Sequence, residues 1–314
     1  MSQNPIPVIL DCDPGHDDVM AILLAAASER LNLAAITTVS GNGPIDKVTQ
    51  NALKFCTLAG LTNIPIAQGA THPLIGQSHA ATEIHGESAL DGVALPESTI
   101  ALSKFSAVQL MAQIITESPV PVTIIATGPL TNVAQLLRTH PELHSRIRSI
   151  SIMGGGTERG NWRPLAEFNI WFDPEAADIV FTSGLDIYLC GLNITHQVLI
   201  TPEIFTRLEN IDSHLSRTIV PLMRFFAHAY DTTFGMPQPP LHDPIAVLMV
   251  SHPELFTFAH VPVAIEKDGT HTRGATVIDL HRVTDAPNNA YVAIGVDVPA
   301  FWDLMIEAVA TISE

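Results

Sequence analysis

Apolar residues in this chain follow two alternating rhythms. Short runs rich in β-branched residues occupy positions 8–12, 33–39, 122–126, 150–153 and 187–190. Between them, apolar residues recur at helical spacing from near Asp17 to about 29, over 45–59, over 131–138, and after Asp173-Pro174-Glu175. Such alternation predicts βαβ units, and therefore an α/β fold with an open, mostly parallel central sheet flanked by helices. The later part predicts a helix over 215–230, a proline-rich turn at 237–240 and a helix from Asp243. Strand-like runs follow at 261–265, 275–280 and 291–296, then a closing helix over 299–312. No fixed-period repeat and no low-complexity linker divides the chain, so residues 1–314 read as a single domain. The turn-rich stretch 70–96, which carries His72, His79, His85 and Glu87, reads as a loop region over a site.

In an open parallel sheet, ligands bind beyond the carboxyl ends of the strands. Several of these ends are polar here: Asp13 to Asp18, Ser40-Gly41-Asn42-Gly43, Thr127-Gly128-Pro129 and Gly154-Gly155-Gly156. If the preceding strands share one sheet, these segments converge on one crevice. The stretch Asp11-Cys12-Asp13-Pro14-Gly15-His16-Asp17-Asp18 places four carboxylates where an apolar strand meets an apolar helix. Strand alternation puts Asp11 and Asp13 on one face with Cys12 opposed, and Gly15 permits a tight turn. Asp17 and Asp18, adjacent at the helix start, point in different directions, so one can bind a metal while its neighbour binds substrate. A single aspartate there is readily explained as a helix cap, but four together are not. An oxygen-rich cluster poor in thiolates suits calcium or magnesium.

Composition narrows the partners. Fifteen basic against thirty-two acidic residues give a formal charge of −17, which repels phosphate backbones and argues against nucleic acid. A small neutral substrate fits better. The N-terminal Met1-Ser2-Gln3-Asn4-Pro5 has no basic region and no leader-like apolar run, and no stretch is long enough to span a membrane. Cys12, Cys56 and Cys190, odd in number and each in an apolar context, read as reduced core residues of a cytoplasmic protein.

Further motifs carry chemistry. Met153-Gly154-Gly155-Gly156 lacks both the Lys-Ser/Thr of a phosphate loop and dinucleotide-fingerprint spacing. The nearby Gly160-Asn161-Trp162 and Ala166-Glu167-Phe168-Asn169 bring amides and a carboxylate together, a set suited to a polyhydroxylated ligand. Leu241-His242-Asp243-Pro244 opens another apolar helix, and a histidine beside a metal-binding aspartate is a candidate proton donor. His85, in Ile84-His85-Gly86-Glu87-Ser88, is a second candidate.

Taken in order, Asp11 to Asp18, Gly41-Asn42, Thr127-Gly128-Pro129-Leu130-Thr131-Asn132, Met153-Gly154-Gly155, Glu167-Phe168-Asn169 and His242-Asp243-Pro244 resemble the nucleoside hydrolase family over nearly the full length. With His85-Gly86-Glu87-Ser88, the chain is most similar to the pyrimidine-preferring and inosine–uridine types. The resemblance implies a Rossmann-like core and hydrolysis of the N-glycosidic bond of ribonucleosides such as uridine, cytidine or inosine, with one tightly bound calcium ion. It implies Asp13, Asp18, Asp243 and the carbonyl of Thr127 as calcium ligands, with Asp13 also the general base. It implies Asp17, Asn42, Asn161, Glu167 and Asn169 as ribose-binding residues, and leaves Asp11 in support. Leaving-group activation would fall to His242, His85 or both, and Tyr230 and Phe234 would meet the base from a mobile loop within 226–240. It further implies a homotetramer, with a homodimer as the alternative.

Two rival readings share parts of this pattern. Magnesium-dependent aspartyl phosphohydrolases also begin with Asp-x-Asp after a first strand, but they need a lysine near a later strand end, and none is placed here. A nucleoside- or sugar-binding module without turnover would keep the diol pocket, and the intact Asp13 and His242 argue against it.

Overall fold

Residues 8–10 and Cys12 are fully buried, so the first strand is covered on both faces, as in the middle of a parallel sheet. The computed structural model describes residues 4–312. Residues 1–3, part of the stretch expected to carry no leader, and residues 313–314, included in the expected single domain, lie outside it. Its strands are β1 (Ile6–Cys12), β2 (Leu31–Thr38), β3 (Ile66–Gln68), β4 (Val122–Ala126), β5 (Ile147–Met153), β6 (Ile187–Cys190), β7 (Phe256–Val261), β8 (Val263–Ile265), β9 (Thr276–Ile278) and β10 (Ala290–Val296). Eight form one sheet in the order β3-β2-β1-β4-β5-β6-β10-β7, while β8 and β9 make a separate antiparallel pair. All neighbours in the large sheet are parallel except the edge pair β10–β7. The expected strand over 261–265 is thus split at Pro262, which has no N–H to give a ladder.

The helices are α1 (His16–Ala27), α2 (Ile45–Leu58), α3 (Thr82–His85), α4 (Ala107–Glu117), α5 (Thr131–Thr139), α6 (Phe168–Phe172), α7 (Pro174–Phe181), α8 (Leu192–Thr195), α9 (Pro202–Asn210), α10 (His214–Phe234), α11 (Pro244–Ser251) and α12 (Val298–Ile312). They divide between the two faces of the sheet. On one face, α1 packs with α11 and α12; on the other, α4, α5 and α7 cover a second apolar layer. None of the described helices is long and apolar enough to cross a membrane. Cys12, Cys56 and Cys190 are buried and free.

Register brings the strand ends level. Cys12 pairs with Thr38, Asp11 with Ala126, Ala126 with Ile152, and Met153 with Cys190. The segments after β1, β2, β4 and β5 therefore leave the sheet side by side. Strand order reverses at β1, the position where open α/β sheets form a crevice.

Tyr230 and Phe234 differ from their expected setting on a mobile loop. Phe234 does not stand on a mobile loop: α10 runs through Tyr230 to Phe234 and ends at Gly235, whose φ of 66° suits a left-handed cap. Tyr230 and Phe234 are thereby one turn apart on one face, ring centroids 5.2 Å apart.

Asp173 ties three segments together from a fully buried position. Its Oδ1 accepts the Ala176 N–H at 3.0 Å as the cap of α7, while Oδ2 accepts the Thr131 hydroxyl at 2.7 Å and the Leu74 N–H at 2.8 Å. Asp173→Ala removes the cap and leaves buried donors unpaired. It should lower the unfolding free energy by about 2–4 kcal/mol, read as an earlier urea midpoint, with Asp173→Asn losing less. An unchanged midpoint would show that water replaces the carboxylate without cost.

Candidate active site

The acidic turn after β1 is built around Asp18. Its Oδ1 accepts the Asp13 N–H at 3.2 Å and the Thr127 hydroxyl at 3.0 Å. Its Oδ2 accepts the Gly15 N–H at 3.0 Å and the Asn42 amide at 3.1 Å. Asp18, three residues after the Gly15 N-cap, thus caps the Gly15 N–H at the start of α1 and staples the turns after β2 and β4 to it. Asp11 does the same one layer deeper: its Oδ1 accepts from Thr37 at 2.6 Å and Asn132 at 2.8 Å, while Oδ2 has no hydrogen-bond partner.

Asp13 is drawn toward the turn after β2, where its Oδ2 accepts the Asn42 backbone N–H at 2.6 Å. Glycine is required on both sides of this carboxylate. A Cβ at Gly41 would run into Oδ2, and one at Gly128 would lie 2.6 Å from Oδ1.

Three carboxylates gather tightly enough to hold an ion. Asp17, Asp18 and Asp243 each offer an oxygen within 4.8 Å of the others, and all three are buried. In this triplet Asp17, expected at the ribose, stands beside the expected ligands Asp18 and Asp243, while Asp13, also expected as a ligand, accepts the Asn42 N–H. Burial, then mutual repulsion, pushes the carboxyls of Asp17 and Asp243 above the ordinary range; burial raises Asp18 as well. Among the described residues, no lysine or arginine lines the cavity above to relieve them. An all-oxygen, all-anionic donor set fits a hard divalent cation.

Above the carboxylates opens a cavity of about 300 Å³. Its lining contains Asp17, Asn42, Thr127, Asn161, Glu167, Asn169, His85, Tyr230, Phe234, His242 and Asp243, which is every residue expected at the site except Asp13 and Asp18 beneath its floor. One wall is polar. Glu167 caps α6, its two oxygens accepting the N–H groups of Asn169, Gly155 and Ile170, and burial raises its carboxyl to about 7. Asn161 spends its oxygen on the Phe168 N–H, leaving its amide nitrogen for a ligand.

Two asparagines are turned partly away from a ligand. Asn42 donates to Asp18 and to the Asp13 carbonyl, and Asn169 donates to the carbonyls of Thr127, at 2.7 Å, and Met153. Each keeps only its amide oxygen for substrate. Thr127, expected as a metal ligand through its carbonyl, likewise shares that oxygen with Asn169.

The opposite wall is aromatic. Phe226, Tyr230 and Phe234 recur every fourth residue along α10, and His85 stacks on Phe226 at 5.7 Å. Tyr230 Oη lies 2.7 Å from His242 Nε2, and His242 Nδ1 lies 2.8 Å from the Thr195 hydroxyl. Burial, helped by His196, lowers His242 to about 3. Sequence reasoning missed Ile84, Trp162, Phe168 and Phe226 in this lining. Trp162 and Phe168 sit inside the motifs that named their polar neighbours, and Phe226 continues the four-residue spacing back from Tyr230.

Comparison with known proteins gives one consistent picture. Residues 8–303 match the family described as inosine-uridine preferring nucleoside hydrolase. The chain is 47% identical over 305 residues to a pyrimidine-specific ribonucleoside hydrolase RihA of Photobacterium profundum, covering 97% of this chain and 98% of the relative. It is also 47% identical over 303 residues to the protein of that name from Escherichia coli, covering 96% and 97%. Among solved structures, it resembles a purine-preferring ribonucleoside hydrolase from Gardnerella vaginalis with a TM-score of 0.91, 31% identity, and coverage of 98% and 99%.

Proposed function

Because the chain belongs to the inosine-uridine preferring nucleoside hydrolase family, we propose that it cleaves the N-glycosidic bond of pyrimidine ribonucleosides. Uridine and cytidine would be preferred, with inosine a poorer substrate, and the products are ribose and free base. The carrying observation is the buried carboxylate triplet beneath a cavity with one polar and one aromatic wall. The pyrimidine reading follows the relatives at 47% identity along their whole length in preference to the purine-preferring structure at 31%. Residues 1–314 act as one catalytic domain, supported by a sheet whose strands run from β1 to β10. The reduced, buried cysteines support a cytoplasmic setting.

Calcium is the proposed ion, which Asp13, Asp18, Asp243 and the Thr127 carbonyl would hold. When bound it supplies positive charge that draws in the ribose hydroxyls and acidifies the attacking water. The residues of the chain do the remaining work. Asp13 Oδ2 is fixed by Asn42, which leaves Oδ1 to take the proton of the water, and burial with the nearby Asp18 charge makes this carboxyl a stronger base. Asp17, Asn161, Glu167 and the amide oxygens of Asn42 and Asn169 bind the ribose hydroxyls. Their negative and acceptor groups also stabilise the positive charge that builds on the sugar as the C–N bond breaks. The departing base faces Tyr230 and Phe234, with the Tyr230 hydroxyl backed by His242 to supply a hydrogen bond or proton.

Purified protein given uridine, cytidine, inosine and a phosphate ester should release reducing sugar from the two pyrimidine nucleosides fastest. A chelator should abolish release and added calcium restore it. Inorganic phosphate without ribose would overturn the reading, and tight nucleoside binding without turnover would favour a binding module. Asp13→Ala should lower kcat by about 10²–10⁴-fold while changing nucleoside affinity little. Equal losses in both would remove Asp13 from the base role. We further infer a homotetramer, with a homodimer as the alternative, and light scattering should return four chain masses; a single chain mass would contradict an oligomer.

A further inference from the structure

A second cavity, of about 370 Å³, adjoins the first. Asn161, Trp162, Tyr230 and Phe234 line both, so the two share the wall that meets the departing base. Their charges are opposite. Among the described residues, the first is lined by carboxylates and by neither lysine nor arginine, while the second is lined by Arg159 and Arg163 and by no carboxylate.

Both arginines are held where they stand. The N–H groups of Arg163 and Ala166 bond each other's carbonyls at 3.1 and 3.2 Å, closing a tight turn, and a Cβ at Gly160 would lie 2.2 Å from those two carbonyl oxygens. The Arg163 guanidinium stands over the Trp171 ring, 5.2 Å from its centroid. The Arg159 guanidinium donates to His196 Nδ1 at 2.5 Å. A guanidinium has no acceptor, so this ring nitrogen accepts and the imidazole is neutral. The contact orients Arg159 without cancelling its charge. Among the described residues no carboxylate pairs with either arginine, although the chain carries a net charge of −17. Two uncompensated guanidiniums on so acidic a protein mark a place for an anionic or hydrogen-bond-accepting group.

A pyrimidine offers such a group at the end away from the sugar. Its ribose is carried on N1, the ring atom farthest from that bond is C4, and C5 stands beside it. Uracil presents the acceptor O4 on C4, where cytosine presents an amino group that only donates. As the C–N bond breaks, its electron pair passes to N1, and in uracil the negative charge spreads to O2 and O4.

We propose that the second cavity is a compartment for this edge of the base, in which Arg159 recognises a carbonyl oxygen on C4 or an anionic group on C5, with Arg163 adding positive charge. This rests on the ribonucleoside reading and deepens it. Uridine ranks above cytidine, and uridines with a carboxylate on C5 become substrates. The ribose end, which turns positive in the reaction, lies over carboxylates, and the base end, which turns negative, lies toward arginine.

The test compares kcat/KM for uridine, cytidine, 5-methyluridine and 5-carboxyuridine in the calcium-loaded, full-length protein and in Arg159→Met, which keeps a long side chain without its charge. In wild type, uridine should exceed cytidine about 10-fold and 5-carboxyuridine should exceed 5-methyluridine. Arg159→Met should bring uridine down to about the rate of cytidine, and 5-carboxyuridine should fall furthest, below 5-methyluridine. Arg159→Lys, which restores the charge without the planar fork, should recover 5-carboxyuridine more than uridine.

An unchanged uridine-to-cytidine ratio in Arg159→Met, an equal loss on all four substrates, or a wild type that accepts 5-methyluridine and rejects 5-carboxyuridine would overturn the proposal. Binding is read without turnover. By calorimetry, Arg159→Met should hold 5-carboxyuracil about 10-fold more weakly than wild type, and equal affinity would overturn the proposal as well. A protein that hydrolyses none of the four nucleosides yet keeps this difference in binding would sink the functional reading and leave the compartment standing.

Discussion

Everything at the end of the sheet answers to the crowding of buried carboxylates around β1. Two like charges about 4.8 Å apart repel by about 3–4 kcal/mol even at an effective dielectric of 20, and Asp17, Asp18 and Asp243 make three such pairs. That sum is comparable to the entire stability of an ordinary domain. The fold tolerates the cluster by surrounding Asp18 with donors from three turns, those after β1, β2 and β4. Burial, with mutual repulsion at Asp17 and Asp243, pushes these carboxyls above their ordinary range, and a hard divalent cation is the partner that offsets both effects. The same negative field then favours a substrate that turns positive as it reacts, which a ribosyl group does when its bond to the base lengthens.

The sheet makes this crowding possible by its register. Level strand ends bring Asp13 to Asp18, Asn42 and Thr127 side by side, and α11 delivers Asp243 from far along the sequence. Rigid elements thus hold the charged side of the cavity. The base side is a single helix, α10, which presents Phe226, Tyr230 and Phe234 as one stripe. This division suits a family that keeps the sugar and varies the base, because substitutions along one helix face can change the base pocket without disturbing the carboxylates.

The strands were the most legible part of the sequence. Runs at 122–126 and 187–190 coincide with β4 and β6, since a buried parallel strand is a short apolar block with polar ends. Helix α4 is not set apart by its pattern, although Ser106 and Gln109 form a capping box ahead of it: its apolar residues run nearly all round, broken by Gln109 and Gln113 before the polar end at Thr116 and Glu117. Polar residues of the site could be named because strand-end motifs are contiguous. Their partners could not. Strand alternation ends with β1 at Cys12, so it does not govern Asp13, and nothing in the sequence shows that the Asn42 N–H holds Asp13 while Asp17 joins Asp18 and Asp243.

The account stands on a divalent cation being the counterpart of this carboxylate cluster. Calorimetric titration of calcium into protein cleared of metal tests that claim most directly. One site per chain should appear in the wild type and be lost in Asp243→Asn. A wild type that takes up no calcium, or an Asp243→Asn variant that binds it unchanged, would contradict the account.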